Sequence, residues 1–167
     1  MAEVSEASVR RARPADAERI AAFVNRARSR ERLLAPEDVR DRFGTVAFLL
    51  AQRGGEVVGL LGWRVENLVA RVTDFLVWPA AQRVVAGRAL LSAMEVAAGE
   101  LLCEAVILFV ARDCPSEVLD FWKAFGYERR KVAELPKAWR EASKEVRSVE
   151  EQILLKQLRD DLVRRPL

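Results

Sequence analysis

The feature that most constrains the fold is a strand-like segment that stops at a proline and is followed at once by a helical segment. Leu68–Val77 has the composition of a strand, Pro79 ends it, and an amphipathic pattern starts near Arg83. The first turn of a helix carries N–H groups without intrahelical partners, and the helix dipole is positive there. This corner therefore predicts either an anion site or a purely structural turn.

The order of the other segments predicts an α+β fold. Strand-like and helical patterns alternate along the chain without repeats or a flexible linker, so one mixed sheet with helices on its faces is expected. We expect a disordered N-terminus over 1–8 and one domain over 9–167. The expected strands are 9–13, 46–52, 57–65, 68–77, 104–111, 127–134 and 152–158. The expected helices are 16–27, 36–43, 83–102, one from Pro115 to Gly126, and an inserted helix at 136–151.

Composition excludes several kinds of chemistry. The chain has 167 residues and no histidine, which removes histidine-dependent triads and most transition-metal sites, so no metal is expected. Two cysteines make neither a disulfide framework nor a zinc site. The net charge of +3 gives little basis for nucleic-acid binding. Because neither a membrane-length apolar run nor a signal-peptide pattern is found, we expect a cytoplasmic protein without membrane contact.

The residues around the corner resemble the coenzyme A loop of the GNAT superfamily of acyltransferases. In that family a Val-x-Pro strand end precedes Gln/Arg-x-x-Gly-x-Gly/Ala and a helix with paired leucines. The matching residues here are Val77, Trp78, Pro79, Gln82, Val85, Gly87, Leu90 and Leu91, and the similarity extends from Arg13–Ala17 to Phe125–Tyr127.

This resemblance implies the GNAT fold and an acyl-coenzyme A, acetyl-coenzyme A or another, as co-substrate. It implies an N-acyltransferase whose acceptor is an amine of a small molecule or a protein; a homodimer is left open. The thioester oxygen is expected at the backbone N–H groups of Leu76 and Val77. The further residues expected at the cofactor are Gln82, Arg83, Val84, Val85, Ala86, Gly87, Arg88 and Trp122.

Three positions depart from the family pattern. Val85 replaces a glycine that allows close phosphate approach, Pro115 replaces an asparagine that contacts the pantetheine arm, and Trp122 replaces a tyrosine that protonates the leaving thiolate. Trp122 is then either a wall of the core or a stacking surface for the cofactor. These departures support an alternative function, a catalytically degenerate GNAT-fold module for binding or regulation.

Asp74 and Glu66 are the candidate catalytic residues. Asp74 lies among apolar residues in the strand before the loop, where a carboxylate can act as general base; the alternative is an ion pair with Arg71 or another arginine. Glu66 stands at a turn near the expected substrate groups, and the alternative is a solvated turn residue. Cys114 has no histidine to activate it, so we expect a structural cysteine.

Overall fold

A computed structural model describes residues 6–29, 31–142 and 151–160. Within these residues, seven strands form one mixed sheet in the order β1-β2-β3-β4-β5-β7-β6, which confirms the predicted fold class. The strands are β1 (Ser8–Arg11), β2 (Ala47–Arg53), β3 (Glu56–Glu66), β4 (Val69–Val77), β5 (Ala105–Ala111), β6 (Glu128–Arg130) and β7 (Glu151–Gln157). The helices are α1 (Ala17–Ala27), α2 (Pro36–Arg40), α3 (Arg83–Glu100), α4 (Ser116–Ala124) and α5 (Lys137–Ala142).

The chain divides into two compact units. The first comprises the residues up to Arg64 together with Thr73–Met94, and the second comprises Val65–Val72 and the residues from Glu95 onward.

In the first unit, β1, β2 and β3 pair in antiparallel fashion. The predicted apolar face of α1 is confirmed, because Ile20, Phe23 and Val24 are buried in one cluster with Phe48 and Leu50 of β2. Burying such side chains is worth about 1.5 to 3 kcal/mol each, which fixes α1 on this sheet face.

A glycine in β3 allows the N-terminal half of α3 to approach the sheet. A Cβ at Gly59 would lie 2.8 Å from Cδ1 of Leu90 and 3.2 Å from Cβ of Ala51. Leu90 and Met94 are both fully buried. The missing side chain of Gly59 therefore determines how closely the beginning of α3 packs, and with it the position of the corner before α3.

In the second unit, β7 lies between β5 and β6 and pairs with both in antiparallel fashion, while β5 pairs in parallel with the first residues of β4. An apolar cluster that includes Val69, Ile107 and Ile153 is closed by Trp139 of α5. The indole N–H of Trp139 donates to Oε1 of the buried Glu104 at 3.2 Å.

Two predicted elements differ from the structure. The expected strand at 127–134 is reduced to β6, because Val132–Glu134 form a 3₁₀ turn that brings Leu135 into the buried cluster. The expected face of the long helix included Leu101, which is instead 59% exposed because α3 ends at Glu100.

Of the predicted 136–151 helix, α5 covers the beginning, and residues 143–150 lie outside the described residues. Residues 1–5 of the expected disordered N-terminus also lie outside them, while Ser8 already belongs to β1.

Candidate active site

The predicted strand–proline–helix corner is present. After β4 ends at Val77, the Trp78 N–H donates to the Val58 carbonyl at 3.0 Å, which extends the strand by one residue. A 3₁₀ turn over Ala80–Gln82 follows, and α3 begins at Arg83. The Trp78 ring is 39% exposed, and the guanidinium of Arg26 lies 5.4 Å from its centroid.

The first turn of α3 offers backbone donors at an exposed surface. The Arg83 N–H donates back to the Ala80 carbonyl, so it is already used by the 3₁₀ turn. The N–H groups of Val84 and Val85 have no acceptor inside α3, because residues 80 and 81 precede the helix. The side chains of these two valines are 56% and 37% exposed. Arg83 in this turn and Arg88, one turn after Val84, are exposed as well, so positive charge lies beside the positive end of the helix dipole.

Gln82 fixes the loop in front of this turn. Its Oε1 accepts a hydrogen bond of 2.7 Å from Nη1 of Arg53 at the end of β2. By contrast, Ala86 and Gly87 are buried. Of the predicted cofactor residues, the exposed ones are therefore Arg83, Val84, Val85 and Arg88. The roles of all of them stay predictions.

Leu76 and Val77, whose backbone is the predicted thioester site, are half-buried at the end of β4. Leu76 packs against the apolar cluster of the first unit. A Cβ at Gly59 would lie 3.6 Å from Cγ2 of Val77. The Leu76 side chain therefore anchors this strand end to the cluster, and the thioester role of the backbone stays a prediction.

Asp74 is held in a hydrogen-bonded ion pair. Its Oδ1 accepts from Nη1 of Arg42 at 2.8 Å, and its Oδ2 accepts from Nη2 of Arg42 at 2.5 Å and from Oγ1 of Thr73 at 2.7 Å. The Arg42 guanidinium lies 5.2 Å from the centroid of the Phe48 ring. Pairing with Asp74 raises the pKa of Arg42, and the charge is permanent in any case.

Gly62 of β3 leaves the room for this carboxylate. A Cβ there would lie 2.5 Å from Oδ2 of Asp74, 2.9 Å from Oγ1 of Thr73 and 3.1 Å from Cε1 of Phe48. The arginine pairing considered from the sequence is thus present, but with Arg42. Three of the roughly four acceptor positions of this carboxylate are therefore occupied, so an amine would compete with Arg42 and Thr73 for it.

The remaining predicted residues belong to the second unit. Glu66 is the half-buried last residue of β3, followed by Asn67 and Leu68 with φ of 46° and 65°. Trp122 is 5% exposed, with the rings of Phe121 and Tyr127 at 5.4 and 5.2 Å in edge-to-face geometry. This aromatic packing favours the core-wall interpretation of Trp122.

Tyr127 forms a polar network that sequence reasoning missed. Its hydroxyl donates to Oε1 of Glu95 at 2.9 Å, and Nζ of Lys156 lies 3.0 Å from the same oxygen. Burial raises the pKa of the Tyr127 phenol above its ordinary value, and the charge of Glu95 raises it further. Nothing in the sequence brings these three residues together, because Glu95 lies in α3, Lys156 in β7 and Tyr127 in the connection between α4 and β6.

Two kinds of feature are absent from residues 6–29, 31–142 and 151–160. No group of three or more His, Cys, Asp or Glu side chains is arranged to hold a metal ion. Nor is any described helix long and apolar enough to cross a membrane. Cys103 and Cys114 are both free thiols.

Comparison with known proteins gave a consistent result. Residues 12–127 match the acetyltransferase (GNAT) family. No curated protein matches in sequence. Among solved structures, a GNAT-family acetyltransferase from Staphylococcus aureus has a TM-score of 0.68 at 15% identity, with 92% of this chain and 99% of that chain covered.

Two further structures were solved with coenzyme A. The PaiA N-acetyltransferase of Thermoplasma acidophilum has a TM-score of 0.64 at 14% identity, covering 90% of this chain and 98% of that one. The N-acetylglutamate synthase of Neisseria gonorrhoeae, complexed with coenzyme A and N-acetyl-glutamate, has a TM-score of 0.66 at 18% identity. It covers 95% of this chain and 36% of that one. At these identities the likeness shows the fold.

Proposed function

Because the chain belongs to the acetyltransferase (GNAT) family, we propose that it is an N-acyltransferase that moves an acetyl or other acyl group from coenzyme A to an amine. Family membership supports acyl transfer from coenzyme A in general. The observation that carries the proposal is the exposed first turn of α3, which presents backbone donors beside Arg83 and Arg88. A cytoplasmic location and a homodimer stay predictions.

The pyrophosphate of coenzyme A would lie over the Val84 and Val85 N–H groups. Arg83 and Arg88 would supply the fork geometry that suits phosphate oxygens. The exposed Val85 side chain stands where the family pattern has glycine, so it would hold the phosphates away from the backbone and weaken binding. The co-substrate supplies the thioester, and these residues only bind and orient it.

The reaction requires few protein groups. The amine nitrogen attacks the thioester carbonyl, a C–N bond forms, the C–S bond breaks, and the thiolate leaves. The Leu76 and Val77 N–H groups would stabilise the oxyanion. Asp74 would take the proton of the ammonium at an acceptor position that Arg42 and Thr73 leave open or release. Because Trp122 cannot donate a proton to sulfur as tyrosine does, the thiolate would be protonated by water.

Ligand-induced stabilisation tests the proposal. Acetyl-coenzyme A at 100 times its Kd should stabilise the protein by about 2.7 kcal/mol, which a thermal-shift assay detects easily. If millimolar coenzyme A gave neither a shift in melting temperature nor a calorimetric signal, the proposal would be refuted.

A valine-to-glycine pair tests where the phosphates bind. Val85→Gly should lower the Kd for coenzyme A by about two- to tenfold, equivalent to at most about 1.4 kcal/mol. The matched control is Val96→Gly on the same helix, where Val96 is 63% exposed and beyond the first turn. Both variants lose helix propensity, but only Val85→Gly should bind more tightly. Equal affinities of the two variants would mean that the phosphates do not pass over residue 85.

The second candidate function, a binding or regulatory module, is favoured by two observations. Trp122, at the position of the family's catalytic tyrosine, is buried between aromatic rings. The hydroxyl of Tyr127 already donates a hydrogen bond to Glu95. If coenzyme A binds but no amine in a broad screen is acylated, this function replaces the enzyme.

A further inference from the structure

The ion pair between Arg42 and Asp74 has the form of a recognition site for a particular class of acceptor. Both charges lie on the first unit, and Asp74 precedes Leu76 by two residues, which places the two side chains on the same face of β4. The inference rests on the proposed function, since it concerns the acceptor of the same acyl transfer.

The pair is accessible and can be opened. The side chains of Arg42 and Asp74 are 43% and 25% exposed, so solvent and an acceptor can reach both charges. Each partner keeps support when the other leaves. The Phe48 ring remains beside the guanidinium, and the Thr73 hydroxyl still donates to the carboxylate.

The charge balance of the pair discriminates between acceptors. An acceptor with only an ammonium group would compete with Arg42 for Asp74, and each hydrogen bond that it took from Arg42 would leave the guanidinium less neutralised beside a second cation. A molecule that carries an ammonium group and a carboxylate side by side replaces both partners at once. Each charge on the protein then exchanges one opposite charge for another, and the site stays neutral.

We propose that the acceptor is a free amino acid, whose ammonium group binds Asp74 while its carboxylate binds Arg42. The planar guanidinium, with two parallel N–H donors already directed at a carboxylate, fits an α-carboxylate in the same bidentate manner. The missing side chain of Gly62 leaves the room that the Asp74 carboxylate itself occupies. The amine is thereby placed next to the carboxylate that accepts its proton and close along β4 to Leu76.

Matched ligands test this directly. Leucine, arginine and glutamate would each be compared with the corresponding α-amide and decarboxylated amine, by calorimetry and in the acyl-transfer assay with acetyl-coenzyme A. At least one amino acid should bind at least tenfold more tightly than its amide and amine. Equal binding of acid and amide, or no binding of any amino acid at millimolar concentration, overturns the inference.

A pair of arginine variants assigns the effect to one side chain. Arg42→Gln should abolish the preference for acid over amide, and Arg42→Lys should restore part of it. Arg40→Gln is the matched control, because Arg40 is also 43% exposed and pairs with Glu18 and Glu37. An acid preference that survives unchanged in a folded Arg42→Gln protein, as checked by thermal unfolding, overturns the assignment.

The outcomes separate this inference from the proposed function. Amino-acid binding without a coenzyme A shift would leave the recognition site standing and remove the acyltransferase. Acylation of simple amines in preference to amino acids would leave the acyltransferase standing and overturn the amino-acid site.

Discussion

Replacing Gly62 by alanine should displace the Asp74 carboxylate. The new Cβ would lie 2.5 Å from Oδ2, whereas ordinary contacts begin at 3.4 Å, so the oxygen must move by about 0.9 Å. A shift of that size breaks the alignment of the hydrogen bonds from Arg42 and Thr73. Overpacking of this kind costs about 1 to 3 kcal/mol. In a protein of this size that corresponds to a Tm roughly 2 to 12 °C lower.

Gly44→Ala is the matched control, since a Cβ at Gly44 meets nothing within 4 Å. Both substitutions restrict the unfolded chain similarly, by about 0.4 to 1 kcal/mol, so the Tm difference between the variants isolates the contact at Asp74. In a double-mutant cycle, Gly62→Ala should destabilise the Asp74→Ala protein by at least about 0.5 kcal/mol less than it destabilises the unsubstituted protein. If Gly62→Ala melts at the same temperature as Gly44→Ala, the close approach of Gly62 to Asp74 is refuted.

Two further predictions concern stability. The hydrogen bonds from Arg10 lower the pKa of Asp16 from 3.8 to about 2. The pair should therefore contribute about 1 to 2 kcal/mol above pH 4, after discounting for the exposure of Arg10, and lose it between about pH 4 and pH 2. Asp16→Asn should lack this acid-dependent loss in urea unfolding, and an unchanged pH profile would contradict the assignment. Gly99→Ala should stabilise the protein by about 0.5 to 1 kcal/mol, because Gly99 lies in α3 with open space around it; a lower Tm would count against this packing.

The corner was predictable because its causes are local. Pro79 ends a strand, and a helical pattern resumes four residues later, so the neighbouring sequence suffices to place it. The same holds for α1, whose apolar spacing alone defines the buried face. The prediction of a strand over 127–134 was wrong beyond Arg130, because Leu135 enters the buried cluster and such tertiary burial overrides local strand propensity.

The partner of Asp74 could not be predicted for the opposite reason. Arg42 is 32 residues away in the chain, and the sequence offers many other arginines, Arg71 among them. Nor does the pattern around Gly62 distinguish a glycine required for packing against a carboxylate from any other strand glycine. Arg42 lies in the turn between α2 and β2, and the whole fold decides which strand that turn meets.

The position of β7 between β5 and β6 has a consequence for biosynthesis. Chains emerge from the ribosome with the N-terminal part first, so β5 and β6 are both made before the strand that joins them. Until Glu151–Gln157 arrives, each has a strand edge without its final partner. The second unit therefore completes its sheet late in translation, and a nascent chain that stalls before β7 exposes two strand edges to aggregation and to chaperones.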